Sequence, residues 1–119
     1  SFNENIVFDT IVSNPPHFNL PIENLTDVDN WIRLTVDEDW KFHKKFFNDV
    51  EKFMDNNTKI IFIENYYGMS LNELQNLIKD TNLQTEQIIS TNGGPTNIHS
   101  FYTVILKLKT DNKQLQKLI

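Results

Sequence analysis

The sequence predicts one α/β domain whose parallel strands end in an antiparallel strand pair. Apolar runs typical of buried strands alternate along the chain with segments whose apolar residues recur at helical spacing. Near the C-terminus, two strand-like runs are separated by a short loop that contains glycine and proline, which favours antiparallel pairing between them. Of the 119 residues, 39% are hydrophobic, which is enough to form one hydrophobic core. We therefore expect residues 1–119 to form a single domain.

The first predicted strand runs from Val7 to Val12 and is followed by a long loop. The strand is apolar except at Asp9 and Thr10, a composition typical of a strand that is covered on both faces. Residues 19–33 include Pro21 and show no clear period, so they predict a long loop. Long loops in compact domains are often functional.

Residues 36–54 are predicted to form an amphipathic helix. Thr35 and Glu38 are three residues apart and fit a capping box at its start. The apolar residues that recur at helical spacing are Trp40, Phe46, Phe47, Val50, Phe53 and Met54. This pattern forms an apolar stripe on one side of the helix, which we expect to lie in the core.

The second half of the chain is predicted to contain a strand, a helix and two further strands. Residues 59–64 form an apolar run that predicts a buried strand. Ser70 precedes a segment with leucines on one helical face, and we expect it to cap that helix. Residues 85–90 and 100–109 are predicted strands, and the loop TNGGPTN at 91–97 lies between them.

The composition argues against several classes of function. The absence of cysteine excludes disulfides and thiolate metal sites and is typical of a reducing compartment, so we expect a cytoplasmic protein. No stretch approaches the roughly 20 apolar residues of a membrane-spanning helix. The net charge of −5 gives little support to a broad nucleic-acid surface. His17, His43 and His99 lack metal-ligand spacing, so we expect no metal, and the chain has no nucleophile elbow or phosphate-binding loop.

The first apolar run ends abruptly at Asn14-Pro15-Pro16, with His17 and Phe18 directly behind. Open α/β sheets bind ligands at the carboxyl ends of their strands, which is where this motif is expected to lie. Because proline has no N–H, the motif offers a cluster of oxygen acceptors, which suits a ligand that brings an NH₂ group. When both hydrogens of a planar amine are held by acceptors, the lone pair of its nitrogen points in a fixed direction. This is catalysis by orientation. The ring of His17 or of Phe18 is placed to stack on such a planar group.

A strand that ends in Asn-Pro-Pro followed by an aromatic ring resembles the fourth motif of the class I S-adenosylmethionine-dependent methyltransferases that act on exocyclic or amide nitrogens. The adenine-N6, ribosomal RNA guanine-N2 and release-factor glutamine methyltransferases belong to this group, and FDTIVSNPPHF is similar to the form seen in the last two. The segments DEDWKFHKKFF, KIIFIEN and SLNELQNLIKD resemble the stretch after this motif in the release-factor enzymes. The final strand pair is similar to the antiparallel end of the methyltransferase sheet, so the resemblance covers essentially the whole chain.

The resemblance implies an S-adenosylmethionine-dependent N-methyltransferase. It assigns Asn14 and Pro15 to holding the amino nitrogen that is methylated, and Pro16, His17 and Phe18 to contacting the substrate. Tyr or Phe is more usual at the position of His17, so Phe18 is an alternative stacking ring. The implied substrate is a protein amide, such as a release-factor glutamine, or RNA or DNA, and the acidic charge leans slightly towards protein.

The family binds its cofactor on a glycine-rich loop and on an acidic strand end, both N-terminal to the motif. The glycines of this chain are Gly68, Gly93 and Gly94, all downstream, so the chain resembles only the C-terminal, substrate-side half of a Rossmann-like methyltransferase domain. We therefore expect a fragment that is inactive by itself. An upstream half of the domain, or a second copy of the chain, is expected to cover the outer edge of the first strand. The alternative is a non-catalytic half-domain that uses this edge as a protein-interaction module.

A few further residues have more than one interpretation. Glu64 and Asn65 lie at the carboxyl end of the second predicted strand, and in one interpretation they face the cofactor or substrate side. In the alternatives, Glu64 caps the next helix or meets solvent. His43 is predicted to be a surface or boundary residue of the long helix. Tyr66 and Tyr67 are predicted to pack within a loop rather than to stack on substrate.

Overall fold

The computed structural model describes residues 6–21, 34–90 and 101–109. Its strands are β1 (Thr10–Ser13), β2 (Lys59–Asn65), β3 (Leu83–Ser90) and β4 (Phe101–Leu108). Its α-helices are α1 (Lys41–Asp49) and α2 (Leu71–Ile78), and short 3-10 turns at Glu38–Trp40 and Val50–Phe53 flank α1. The predicted loop 91–97 and most of the predicted loop 19–33 lie outside the described residues.

The four described strands form one mixed sheet in the order β1-β2-β4-β3. β1 pairs with β2 in parallel, and Ile11 lies beside Ile60. β4 is antiparallel to both β2 and β3. The predicted α/β class, with parallel strands followed by an antiparallel pair, is therefore confirmed.

The core lies between one face of the sheet and the two helices. Burial alternates along β2 and β4, as expected for strands with one covered face. The fully buried apolar side chains that meet there are Phe47, Ile60, Phe62, Met69, Leu74, Tyr102, Val104 and Leu106. Ser70 accepts a hydrogen bond from the backbone N–H of Glu73, which confirms the predicted cap of α2.

The prediction for the first strand is wrong in length and in environment. β1 contains only four residues, and its burial alternates, so one face is exposed. Val12 is 64% exposed. β1 also lies at the margin of the sheet, and no strand among the described residues pairs with its outer edge. The apolar character of both faces therefore does not reflect burial within the described part of the chain.

An apolar groove of about 560 Å³ lies between β1 and α1. Its apolar lining consists of Phe8, Ile11, Phe42, Phe46, Val50 and Phe53. Lys45 and Asp49 add charged groups to the lining. Thr10 and Ile11 of β1 also line this groove, and the outer edge of the same strand has no partner among the described strands.

The long helix predicted over residues 36–54 is interrupted near its start. Asp39 and Trp40 have φ values of 56° and 52°, in the left-handed region that residues other than glycine rarely adopt. The predicted capping box is also wrong, because the Asp37 carboxylate caps α1 instead. It accepts hydrogen bonds from the backbone N–H groups of Phe42 at 2.8 Å and His43 at 3.1 Å. No helix in the described ranges is long and apolar enough to cross a membrane.

Candidate functional site

The Asn-Pro-Pro motif directly follows β1, as the sequence predicts. Asn14 is exposed, Pro15 is buried, and Pro16, His17 and Phe18 are half-buried. The chain after the motif is fixed to the segment that precedes α1. Both the His17 and Phe18 N–H groups donate to the carbonyl of residue 35, at 2.9 and 3.0 Å, and the Asp37 N–H donates to the Phe18 carbonyl at 2.7 Å. The backbone directly after the motif is thus held in place by main-chain hydrogen bonds.

A glycine after β2 allows the next loop to pack directly against the motif. A Cβ atom on Gly68 would lie 1.8 Å from the carbonyl oxygen of His17, a distance at which something must move. The Gly68 N–H in turn donates to the carbonyl oxygen of Asn65 at 3.0 Å. The loops that follow β1 and β2 are therefore in close contact at the carboxyl ends of two neighbouring parallel strands, where α/β sheets bind ligands.

His43 is completely buried, so the prediction of a surface or boundary position is wrong. Its Nδ1 lies 2.5 Å from Oδ2 of Asp37, and its Nε2 lies 2.6 Å from Oε1 of Glu64. Because Asp37 also caps α1, one carboxylate fixes both the start of the helix and the orientation of the imidazole. A buried polar side chain on an amphipathic helix requires such partners, and here both are carboxylates.

The pKa of His43 is raised above its ordinary value of 6.5. Burial of the ring acts in the opposite direction and lowers the pKa, but the hydrogen bonds and negative charges of Glu64 and Asp37 outweigh it. The raised pKa favours the protonated ring, and the protonated form places one positive charge between two buried carboxylates. The aromatic rings of Trp40 and Phe62 pack against it.

Glu64 connects this cluster to the motif. Its side chain is completely buried, so it neither meets solvent nor caps α2, for which Ser70 provides the side chain. While Oε1 of Glu64 bonds to His43, Oε2 lies 3.7 Å from Nδ1 of His17. Both Oε2 and Nδ1 are buried without a hydrogen-bond partner. The side chains of Asp37, His43, Glu64 and His17 thus form a row of neighbouring groups that runs from the start of α1 to the motif.

The ring of His17 is enclosed by two phenylalanines. Phe101 lies 5.6 Å away between ring centroids at an interplanar angle of 64°, and Phe18 lies 6.4 Å away at 88°. Both contacts are edge-on rather than parallel. About 15% of the His17 side chain is exposed. Since Nδ1 is covered, this exposed area belongs to the other side-chain atoms.

Asn65 and Tyr66 also lie near the strand ends and make contacts within the fold. The Asn65 side-chain oxygen accepts hydrogen bonds from the backbone N–H groups of Tyr67 and Gly68, which shapes the turn after β2. Tyr66 packs against the ring of Tyr102 and forms a hydrogen bond with Ser90 through its hydroxyl. Tyr67 is exposed. Burial, together with the charge of Glu64, raises the pKa of Tyr102.

Four residues of this site were not predicted to act together from the sequence. Asp37, His43, Glu64 and Gly68 lie on separate elements, and only Glu64 gave a signal, as an acidic residue at the end of an otherwise apolar strand. Within the described residues, no set of three or more histidine, cysteine, aspartate or glutamate side chains is arranged to hold a metal ion.

No protein-family model matches the sequence, and no curated protein is significantly similar to it. Among solved structures, the chain is similar to a ribosomal protein L11 methylase from Lactobacillus delbrueckii subsp. bulgaricus, with a TM-score of 0.49 and 13% sequence identity. The match covers 89% of this chain and 39% of that one, so this chain spans about two fifths of the length of the methylase. A similarity of this size assigns neither a family nor an activity.

Proposed function

We propose that this chain is the substrate-side part of an S-adenosylmethionine-dependent N-methyltransferase. The observation that carries the proposal is the position of Asn14-Pro15-Pro16 directly after β1, beside the carboxyl end of the parallel strand β2. Asn14 is exposed and Pro15 is buried. We assign the Asn14 side-chain oxygen as the first acceptor and the Pro15 carbonyl as the second. These two acceptors hold an NH₂ group and direct its lone pair.

The cofactor needs residues other than those described. The sequence before the motif contains no glycine, and the described residues include no glycine-rich loop into which S-adenosylmethionine fits. A bound cofactor would supply the methyl group for the substrate nitrogen. The part played by this chain is to bind and orient the nitrogen and to provide a ring, His17 or Phe18, beside it.

The substrate is a planar nitrogen group, and we favour a protein amide over a nucleobase. The net charge of −5 gives no support to phosphate binding by this part of the protein. A glutamine side chain offers the same planar NH₂ group as an exocyclic base amine, so the acceptors at Asn14 and Pro15 fit either one. The net charge of the chain is therefore the feature by which we choose a protein amide over a nucleobase.

The test uses the full-length protein that contains this chain. Transfer of labelled methyl groups from S-adenosylmethionine would be measured with a release-factor peptide containing glutamine, with RNA and with DNA as substrates. We expect Asn14→Ala to lower the rate by at least about 100-fold, because the amine loses an orienting acceptor. Asn48→Ala, which changes an exposed asparagine in α1, is the matched control and keeps the rate. An undiminished rate in Asn14→Ala would remove Asn14 from the mechanism.

One observation favours the alternative of a non-catalytic half-domain. The groove between β1 and α1 is apolar, and the neighbouring edge of β1 has no partner strand among the described residues. A strand and an apolar helix from another half-domain would cover both surfaces together. Under this alternative, the chain binds such a partner and the full-length protein transfers no methyl group to any of the three substrates.

A further inference from the structure

Two buried polar atoms face each other beneath the motif. Oε2 of Glu64 and Nδ1 of His17 are 3.7 Å apart, and neither has another hydrogen-bond partner. A hydrogen bond between nitrogen and oxygen spans about 2.7–3.2 Å, so a small rotation of either side chain joins the two atoms. Leaving both unpaired in the interior is unfavourable, and one shared proton satisfies both.

The direction of that hydrogen bond follows from the other side of Glu64. Oε1 already shares a hydrogen bond with Nε2 of His43, whose second nitrogen is hydrogen-bonded to Asp37. A carboxylate oxygen only accepts hydrogen bonds, and we take Glu64 as the carboxylate partner of the His43 ring. The proton between Oε2 and the His17 ring must therefore belong to the nitrogen of His17.

We propose that Glu64, fixed by His43 and Asp37, is the positioning residue of His17 and holds its ring as the Nδ1–H tautomer. A free neutral histidine side chain has no such constraint, and the partner of one ring nitrogen decides which nitrogen carries the proton. The lone pair of the ring is then on Nε2, and the roughly 15% of the His17 side chain that is exposed excludes the covered Nδ1.

The consequence for catalysis rests on the proposed function. A nitrogen that gains a methyl group must lose one of its N–H protons to return to a neutral amide or amine. Nε2 of His17 takes that proton with its lone pair, and the imidazolium so formed keeps its Nδ1–H on the carboxylate of Glu64. The negative charge of Glu64 is close enough to stabilise the positive charge as it develops.

The tautomer is measurable in this chain without cofactor or substrate. Long-range ¹H–¹⁵N correlation spectra of the ¹⁵N-labelled chain, recorded at about pH 8, distinguish a protonated ring nitrogen from an unprotonated one above the ordinary imidazole pKa of about 6.5. We expect Nδ1 of His17 to be protonated and Nε2 unprotonated. A ring that is predominantly Nε2–H, or protonated on both nitrogens at this pH, would overturn the proposal.

Substitution of Glu64 tests whether this residue is the cause. In Glu64→Gln, the amide oxygen accepts from His43 and the NH₂ group faces His17, so we expect the His17 proton to move to Nε2. If the amide takes the opposite orientation, His17 is unchanged and His43 instead loses its Nε2 proton, which also supports the hydrogen-bond directions assigned here. Unchanged protonation of both rings contradicts them. Glu73→Gln is the matched control, since Glu73 bonds to Trp40 and not to His17.

The two proposals fail independently. If the His17 ring is in the Nδ1–H form but the protein transfers no methyl group, the role of Glu64 is supported and the methyltransferase proposal is rejected. If the protein transfers methyl groups but the His17 ring is in the Nε2–H form, the methyltransferase proposal is supported and the role of His17 as proton acceptor is rejected. If Glu64→Gln does not fold, the spectrum of the unsubstituted chain still decides the tautomer.

Discussion

The imidazole of His43 holds the interior of the site together at the scale of single residues. It bonds at 2.5 Å to Asp37 and at 2.6 Å to Glu64, and all three side chains are buried. Removing one partner from a buried ion pair typically costs about 3–5 kcal/mol, because the remaining charge loses its compensation. The stability of this buried cluster therefore depends on all three of its side chains being present.

The charge of His43 makes the stability of the fold depend on pH. Because the pKa of His43 in the folded state is raised above its ordinary value of 6.5, the protonated ring contributes its full stabilisation below about pH 6.5. This contribution is lost as the pH rises through the folded pKa. We expect the free energy of unfolding, measured by urea denaturation, to fall over that range. His43→Gln, which does not titrate, should show a smaller slope, and equal slopes in the two proteins would contradict the assignment.

The sequence predicted the position of the motif after β1 but not the buried cluster, for a physical reason. Asn14 to Phe18 are contiguous, and the end of an apolar run located them at the edge of the sheet. His43 and Glu64 are 21 residues apart and are paired only by the packing of α1 on β2. A polar residue on an apolar helix face has the same sequence pattern whether it reaches solvent or a buried carboxylate.

At the scale of elements, the start of α1 is strained so that Asp37 can reach the helix. The chain passes through left-handed conformations at Asp39 and Trp40 before α1 begins at Lys41. Such conformations cost of order 1–3 kcal/mol for residues other than glycine and are common at functional sites. Asp37 then caps α1 from a position that the usual capping pattern does not predict.

Relief of this strain is expected to stabilise the protein. Asp39 is exposed and has a φ of 56°, which glycine adopts without steric cost. We expect Asp39→Gly to raise the free energy of unfolding by about 0.5–1 kcal/mol. Its salt bridge to Lys44, 3.6 Å long and exposed, contributes little that would be lost. Asp39→Val is the opposing control and should be destabilising, since a β-branched residue is an outlier at this φ. Urea denaturation of both variants checks the order.

Most elements were predictable because their patterns are local. Helical spacing and the serine cap located α2, and continuous apolar runs located β2 and β4. The environment of β1 was not predictable, because its two apolar faces have the same composition whether the neighbouring structure is present or not. The break before α1 was hidden for a similar reason: Trp40 continues the apolar stripe in sequence but adopts a conformation outside the helix.

At the scale of the whole molecule, the described sheet is open on the side of β1. The strand has four residues and an unpaired outer edge among the described ranges, and an apolar groove lies beside it. Exposed apolar surface next to an open strand edge favours association with another chain or segment. The site and this open side are both adjacent to β1, so a partner that pairs with the strand lies close to the motif.

We expect this chain, when isolated, to self-associate through the groove. Phe42 lines the groove and is 44% exposed, so Phe42→Glu places a charge on the apolar surface with little loss of core packing. Light scattering across a range of concentrations should show an increase in mass for the unsubstituted chain and a smaller one for Phe42→Glu. Tyr67→Glu is the control, because Tyr67 is 53% exposed in the loop after β2. A mass that stays monomeric at every concentration would contradict the expectation.

Because Gly68 contacts the carbonyl of His17, the sequences of the loops after β1 and β2 depend on each other. A side chain at position 68 does not fit unless the chain after β1 takes another course, so the residue at one position limits the sequences that are possible at the other. Exchange of the Asn-Pro-Pro loop alone between related proteins would disturb this contact. A designer who transfers the site to another scaffold should therefore move the loops after β1 and β2 together, with the buried carboxylates that support them.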